Sequence, residues 1–413
     1  MTGLAVLGLL LVGSYLGGFL VGSTGKKARG LASGAGAVVL GFVSGPSALA
    51  LLNQETLELF TPLVQVGVGW LAMNTGLIYG RVQGRSVRPL SALWGIAAGL
   101  LTLVGVTSAV SLALAWVPPF RALGLGERER WALGLGMGAA LAETTRSVGR
   151  WARERCHARG PLFDRILDLS AADDLVPVVA AAVAFALVPL RTAMGALPVA
   201  AGAAAQLGVG FALGAIGALT LGRDFRLSVF RGTLLGVSLI GIGFAVQLRL
   251  SLVAVPFALG LGLVAVSRHR SRIRRAVSAE RYVVVPILFL AGAMTPVGGV
   301  IPWLAALAVG ARLVAKLIAG LGLWGAWSVA RPAGPLLGAG LVSSGTLSLA
   351  FGVSFALHFP GPVGGAVLAA ASLAMVVGEL VGPPSLRGVL RRVGEVPAAT
   401  AETEAVGAAE AVS

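Results

Sequence analysis

The chain has 413 residues, 56% of them hydrophobic and only 12% Asp, Glu, Lys or Arg, and its mean hydropathy is +0.89. A water-soluble domain carries about twice that charged fraction, which excludes a soluble enzyme or binding domain and points to an all-α protein that crosses a membrane many times. The net charge of +15 does not mark a nucleic-acid partner, because the arginines sit in short loops between apolar runs, the pattern that orients a chain in a bilayer; and one cysteine, Cys156, with three histidines in no ligand spacing implies neither disulfide, thiolate metal site nor cofactor.

A bilayer core takes about 20 apolar residues per helix, and thirteen spans are predicted in chain order. The first is Leu4–Val21, read as a helix because it lacks the basic lead and cleavage pattern of a signal peptide. Its Gly13, Gly17 and Gly18, with Gly22, form a small-residue stripe suited to close helix contact, the basis for expecting a homodimer. Leu31–Leu52, Leu59–Ile78, Leu90–Val117, Trp131–Val148 and Ile166–Val188 follow, then Leu197–Leu221, Gly232–Val246 and Leu252–Val266. Tyr282–Met294, Ile301–Trp327, Leu336–Leu357 and Val363–Val381 complete the set. Alternate loops are basic: one set holds 24 Lys and Arg, the other five. That split predicts an inner, cytoplasmic-type membrane protein with an odd number of spans, its N-terminus outside and its C-terminus in the cytoplasm. The Ala- and Glu-rich tail of residues 394–413 is expected to be disordered.

Ionisable residues within apolar spans cost at least about 2.5 kcal/mol each, so they are functional candidates. Glu143, Arg146, Asp173, Asp174 and Lys316 stand out. Asp173 and Asp174 are mid-span with Pro177 one turn on. Adjacent helical residues point about 100° apart, so the two carboxylates face different partners. One suits a hard alkali cation, for which oxygen ligands are appropriate; the other suits a base on a neighbouring helix. A carboxylate that takes either a cation or a proton is the minimum machinery of an antiporter. Arg312 and Lys316 are spaced i,i+4 and share a helix face; the alternative for both is that they snorkel to an interface. The run Glu143, Thr144, Thr145, Arg146 interrupts the fifth span, and Ser343, Ser344, Gly345, Thr346 the twelfth. Paired interruptions of this kind point to broken helices lining a mid-membrane site.

These residues resemble the monovalent cation:proton antiporter family over nearly the whole length. The likeness is carried by Leu40–Pro46, Glu55–Leu63, Met73–Ile78, Ala139–Asp174, Ala311–Lys316 and Gly382–Leu386. The resemblance implies inverted repeats in two domains within residues 1–393. Spans within 1–80 and 232–294 would form a dimerisation scaffold, spans within 90–188 and 301–381 a transport core, and span 197–221 a linker. By the same resemblance Asp174 is the carboxylate that binds ion and proton, Asp173 the partner of Lys316, and Thr144 and Thr145 the polar stretch of a broken helix. Glu143 and Arg146 stand where the family carries small or uncharged residues, and Thr346 where many members carry Glu. Glu143, Arg146 and Arg312 are expected to modulate the site. The reading is therefore a non-enzymatic exchanger of Na⁺ or K⁺ for protons. A sodium-coupled organic-anion symporter is one alternative, with Arg146 as the anion's partner. A degenerate scaffold or sensor, locked by a Glu143–Arg146 salt bridge, is another. An intramembrane aspartyl protease is disfavoured, because adjacent acids on one helix cannot clasp one water between them.

Overall fold

The computed structural model describes residues 34–82, 85–187, 197–221, 227–277, 281–359 and 361–397. The Leu4–Val21 span and its glycine stripe lie outside the described residues. The chain runs α1 (Ala35–Ser44), α2 (Gln54–Leu59) and α3 (Thr61–Ile78), then a small hairpin of β1 (Arg81–Val82) and β2 (Arg85–Ser86). α4 (Pro89–Trp116), α5 (Pro118–Arg121), α6 (Glu127–Ala142), α7 (Arg146–Cys156), α8 (Pro161–Ala172) and α9 (Leu175–Leu187) follow. Next come α10 (Val199–Thr220), α11 (Leu227–Gln247), α12 (Ala254–Val266), α13 (Arg270–Val277), α14 (Arg281–Ala293) and α15 (Ile301–Ala326). Two 3-10 segments, Ser328–Ala333 and Pro335–Leu341, lead to α16 (Thr346–His358) and α17 (Pro362–Arg392).

Proline opens α3, α4, α8, α15 and α17 within the first turn. The amide it lacks there would have no intrahelical partner anyway. Among the described residues six helices are long and apolar enough to cross a bilayer, and the bent pair Pro335–Leu341 with Thr346–His358 makes a seventh. Three apolar helices are shorter. This is an all-α polytopic membrane fold. It differs from the expected spans in detail. Within the described residues the second predicted span is the ten residues of α1, which stops at Ser44 because Pro46 forces Gly45 into extended backbone. The span expected from Gly232 begins earlier, at Leu227. The last helix runs on past Val381 to Arg392, since the apolar signal stops before the helix does.

α4, α6, α9, α15, α16 and α17 pack on one another, with α8 against α4. α12 lies between α3 and α10, and α14 packs on α1 and α3. α16 on α3, α17 on α1 and α9 on α10 join the two groups. Backbones approach closely where glycine allows it: a Cβ on Gly76 would sit 2.1 Å from the Phe257 carbonyl oxygen, and one on Gly260 2.1 Å from that of Met73. Only Gly tolerates the α3–α12 crossing at this separation. Val68, Phe289, Phe351, Phe355 and Met375 belong to one continuous apolar core that spans both groups.

The basic end of the bundle is tied by ions. The Arg85 guanidinium lies 2.7 Å from Asp168, which is fully buried, and also reaches Asp164 at 3.9 Å. The tail expected to be disordered after Val393 is docked as far as it is described. Glu395 accepts the amides of Leu162 (2.8 Å) and Phe163 (2.7 Å), and its carbonyl accepts that of Arg159 (3.0 Å). It thus caps the first turn of α8, whose amides have no intrahelical acceptor.

Replacing Arg85 with Ala leaves Asp168 charged and buried. We expect a loss of about 1–3 kcal/mol, discounted because the arginine is one-third exposed. Asp168→Asn in the same background restores most of it. Melting of the purified protein in lipid nanodiscs checks both; equal melting of wild type and Arg85→Ala would show the pair to be thermodynamically idle.

Candidate functional site

Two helices break at the same place. α6 ends at Ala142, and Glu143 and Thr145 are extended before α7 begins. The second break separates Pro335–Leu341 from α16, with a 60° bend. The two breaks cross: the Thr145 amide donates to the Ser343 carbonyl at 3.3 Å. Gly345 makes room for this, since a Cβ there would lie 2.3 Å from Thr145 Oγ1.

Each break strands carbonyls at the end of one half-helix and amides at the start of the next. In hydrocarbon each orphan costs several kcal/mol. α15 supplies the answer. Arg312, 1% exposed, donates to four carbonyls: Leu141 (2.8 Å), Glu143 (2.6 Å), Val342 (2.8 Å) and Ser343 (3.0 Å). Lys316, one turn on and fully buried, donates to the Ala142 carbonyl at 2.7 Å and to Thr144 Oγ1 at 2.8 Å. Both cations face the negative ends of half-helices, where positive charge is favoured. Neither snorkels. The opposite polarity is met at α16: the Glu143 carboxylate accepts the Gly345 amide at 2.8 Å. Ser348 Oγ, on the first turn of α16, donates to the Ala140 carbonyl at 2.5 Å.

The paired acids occupy the turn between α8 and α9. Pro177 has no amide to give to the Asp173 carbonyl, and the Val176 amide takes that acceptor instead at 3.2 Å. The helix tightens there, and the two carboxylates meet different partners. Asp173, fully buried, lies 3.5 Å from Lys316 Nζ. Asp174 pairs with Arg146, whose guanidinium also donates to the Ala171 carbonyl at 3.1 Å and to the Ile78 carbonyl at 3.4 Å.

The structure thus brings Asp173, Lys316 and Thr144 into one cluster and Asp174 and Arg146 into another beside it. Glu143 and Arg146 do not meet as a locking pair; the extended backbone between them sends Glu143 to α16 and Arg146 to the acids. Thr145 caps α7, accepting the Ser147 amide at 3.3 Å. Thr346 is the first residue of α16. Glu379 accepts the first amide of α1, from Ala35, at 2.7 Å. Three acids (Glu143, Asp173, Asp174) and three bases (Arg146, Arg312, Lys316) are gathered here, with formal charges that sum to zero. Among the described residues no group of three or more His, Cys, Asp or Glu forms a metal cluster. A hard cation at Asp174 would draw on that carboxylate with hydroxyl and carbonyl oxygens. A cavity of about 530 Å³ opens between α3, α9, α11 and α16, lined by Gln65, Phe185, Arg249, Ser354 and His358 among others. Phe185 lies eleven residues beyond Asp174, about 16 Å at the helical rise per residue.

Two crossed broken helices, a paired-acid turn and a cation-bearing helix define the class of fold, a polytopic membrane helix bundle. No protein-family model matches the chain, and no curated protein sequence does either. Solved structures do. The structure of the sodium proton antiporter MjNhaP1 from Methanocaldococcus jannaschii at pH 8 superposes with a TM-score of 0.61 at 15% identity, covering 95% of this chain and 100% of that one. An electron-microscopy map of the same antiporter gives a TM-score of 0.62 at 14% identity, covering 95% and 98%. At such identities the likeness is one of fold.

Arg312→Ala strips the Leu141, Glu143 and Val342 carbonyls of this donor and leaves Ser343 only the Thr145 amide, each lost bond being worth about 1–3 kcal/mol. The expected outcome is loss of the folded, monodisperse protein on size exclusion. Arg312→Lys, with one compact head in place of a five-donor fork, recovers folding only in part. Wild-type melting for Arg312→Ala would mean that the carbonyls find other donors.

Proposed function

We propose that this protein exchanges a monovalent cation, Na⁺ or K⁺, for protons across the cytoplasmic membrane by alternating access, and that it is not an enzyme. The observation that carries the reading is a buried carboxylate, Asp174, on a helix turn beside two crossed broken helices. The fold shared with a sodium proton antiporter supports it. In this reading Asp174 takes either the cation or the proton. Asp173 keeps its charge balanced by Lys316, and Thr144 contributes its hydroxyl. Arg312 is structural, holding the two half-helices together while they move as one body. The helices within 90–188 and 301–381 shift against those within 1–80 and 232–294, and the site stays near the midplane. The cavity beside Phe185 and His358 is then one access route. Association as a homodimer, with the N-terminus outside and the C-terminus inside, belongs to the same proposal.

One observation favours a second reading, a non-transporting scaffold: Arg146 already occupies Asp174. Flux separates the two. Reconstituted protein should collapse an imposed pH gradient when Na⁺ or K⁺ is added, and Asp174→Asn should abolish this while leaving yield and melting intact. Because cation and proton compete for one carboxylate, half-saturation for the cation should rise about tenfold per pH unit below that group's pKa. A wild-type protein without flux, or an Asp174→Asn protein with wild-type flux, would overturn the exchange mechanism.

A further inference from the structure

An exchanger has a requirement that a site alone does not meet. The carrier must cross when loaded with cation or with proton, and must not cross empty. If it crosses empty, cation leaks without counter-transport. Something must therefore distinguish a bare Asp174 from an occupied one and transmit the difference to the moving parts.

Arg146 is placed to do this. It is the first residue of α7, so its backbone is fixed by the broken helix. Its guanidinium makes three contacts on two sides: the Asp174 carboxylate, the Ala171 carbonyl of α8, and the Ile78 carbonyl of α3. α8 packs with α4, whereas Ile78 is the last residue of α3 and lies on the other group of helices, with α12. The fork of an arginine reaches a carboxylate and carbonyls at once, which a lysine head does not. The pair is not sealed: the Arg146 side chain keeps 19% exposure and that of Asp174 6%, so water is at hand when the guanidinium lets go.

We propose that Arg146 is a coupling latch, tying the ion-binding helices to α3 while Asp174 is bare and releasing them once a cation or a proton occupies it. The inference rests on the exchange reading above. Bare Asp174 is an anion, and the guanidinium holds it and the Ile78 carbonyl together. A monovalent cation or a proton each adds one positive charge at the carboxylate. Either one cancels the negative charge that attracts and orients the guanidinium. The Ile78 contact, long at 3.4 Å, does not hold by itself. Both loaded forms are thus released by the same event, and the empty form stays tethered. Arg146 is a positioning residue in this scheme; it binds no substrate.

The test reads coupling rather than rate. Proteoliposomes are held at equal, strongly buffered pH on both sides, and an inward thiocyanate gradient makes the interior negative. Uptake of ²²Na⁺ or ⁸⁶Rb⁺ is followed, whichever the wild type exchanges. Exchange with one or more protons per cation is never driven inward by that potential, so potential-driven uptake measures empty-carrier slip alone. We expect little slip in the wild type and an increase of about tenfold in Arg146→Gln, as removal of one charged contact shifts a two-state equilibrium by roughly that factor. Arg146→Lys keeps the charge but not the fork, and should slip at an intermediate rate; it also serves if the Gln variant folds poorly. Slip at the wild-type level in the Lys variant, and in the Gln variant where it folds, overturns the latch while leaving the exchanger intact. Absence of any Asp174-dependent exchange in the wild type overturns the functional reading itself, and the latch with it.

Discussion

Four backbone carbonyls at the two helix breaks and one arginine hold the centre of this protein together. Leu141, Glu143, Val342 and Ser343 come from two segments about two hundred residues apart, and Arg312 donates to them all. Without it, breaking two helices in hydrocarbon is prohibitive. With it, the breaks become the means of joining them. Burying a guanidinium is itself costly, and one ion pair rarely offsets that cost. Here the compensation comes chiefly from backbone dipoles, as the half-helices present their negative ends to the cation. The crossing then fixes what lies around it. Thr144 is held by Lys316, Lys316 lies 3.5 Å from Asp173, and Glu143 caps α16.

Charge within apolar sequence made much of this site legible. Asp173, Asp174, Lys316, Glu143 and Arg146 stand out because each is expensive where it lies, and both polar interruptions were visible as Ser/Thr-rich gaps. What sequence did not reveal was the wiring. Arg312 read as a residue that could snorkel, because its acceptors are main-chain atoms and carry no side-chain signature. Its i,i+4 spacing from Lys316 was the available clue. Glu143 and Arg146 lie three apart, which on a continuous helix places them together; the extended backbone at Glu143 and Thr145 separates them. Helix ends were misplaced for similar reasons. The run at Leu31–Leu52 is apolar throughout, yet Gly45 and Pro46 end α1 at Ser44. Apolar content stops near Val381, while α17 continues into its basic last turn at Arg391 and Arg392. The docking of Glu395 on α8 pairs one carboxylate with backbone amides, again a partner without a sequence signal.

The charge balance of the core bears on how such a site chooses its ligand. Glu143, Asp173 and Asp174 are matched by Arg146, Arg312 and Lys316, so the bare site is formally neutral. Any monovalent cation, proton included, brings it to the same charge. Net charge therefore distinguishes loaded from empty but not one load from another. Selection among monovalent ions falls to the oxygens that replace their hydration shells and to the space between them. On the exchange proposed above, those oxygens would be the Asp174 carboxylate, the Thr144 hydroxyl that Lys316 already contacts, and the few carbonyls that Arg312 and Lys316 do not hold. On that proposal, every carbonyl taken by Arg312 or Lys316 is one withheld from a transported cation, and the side chains that make the broken helices stable would also set the number of ligands left for the ion.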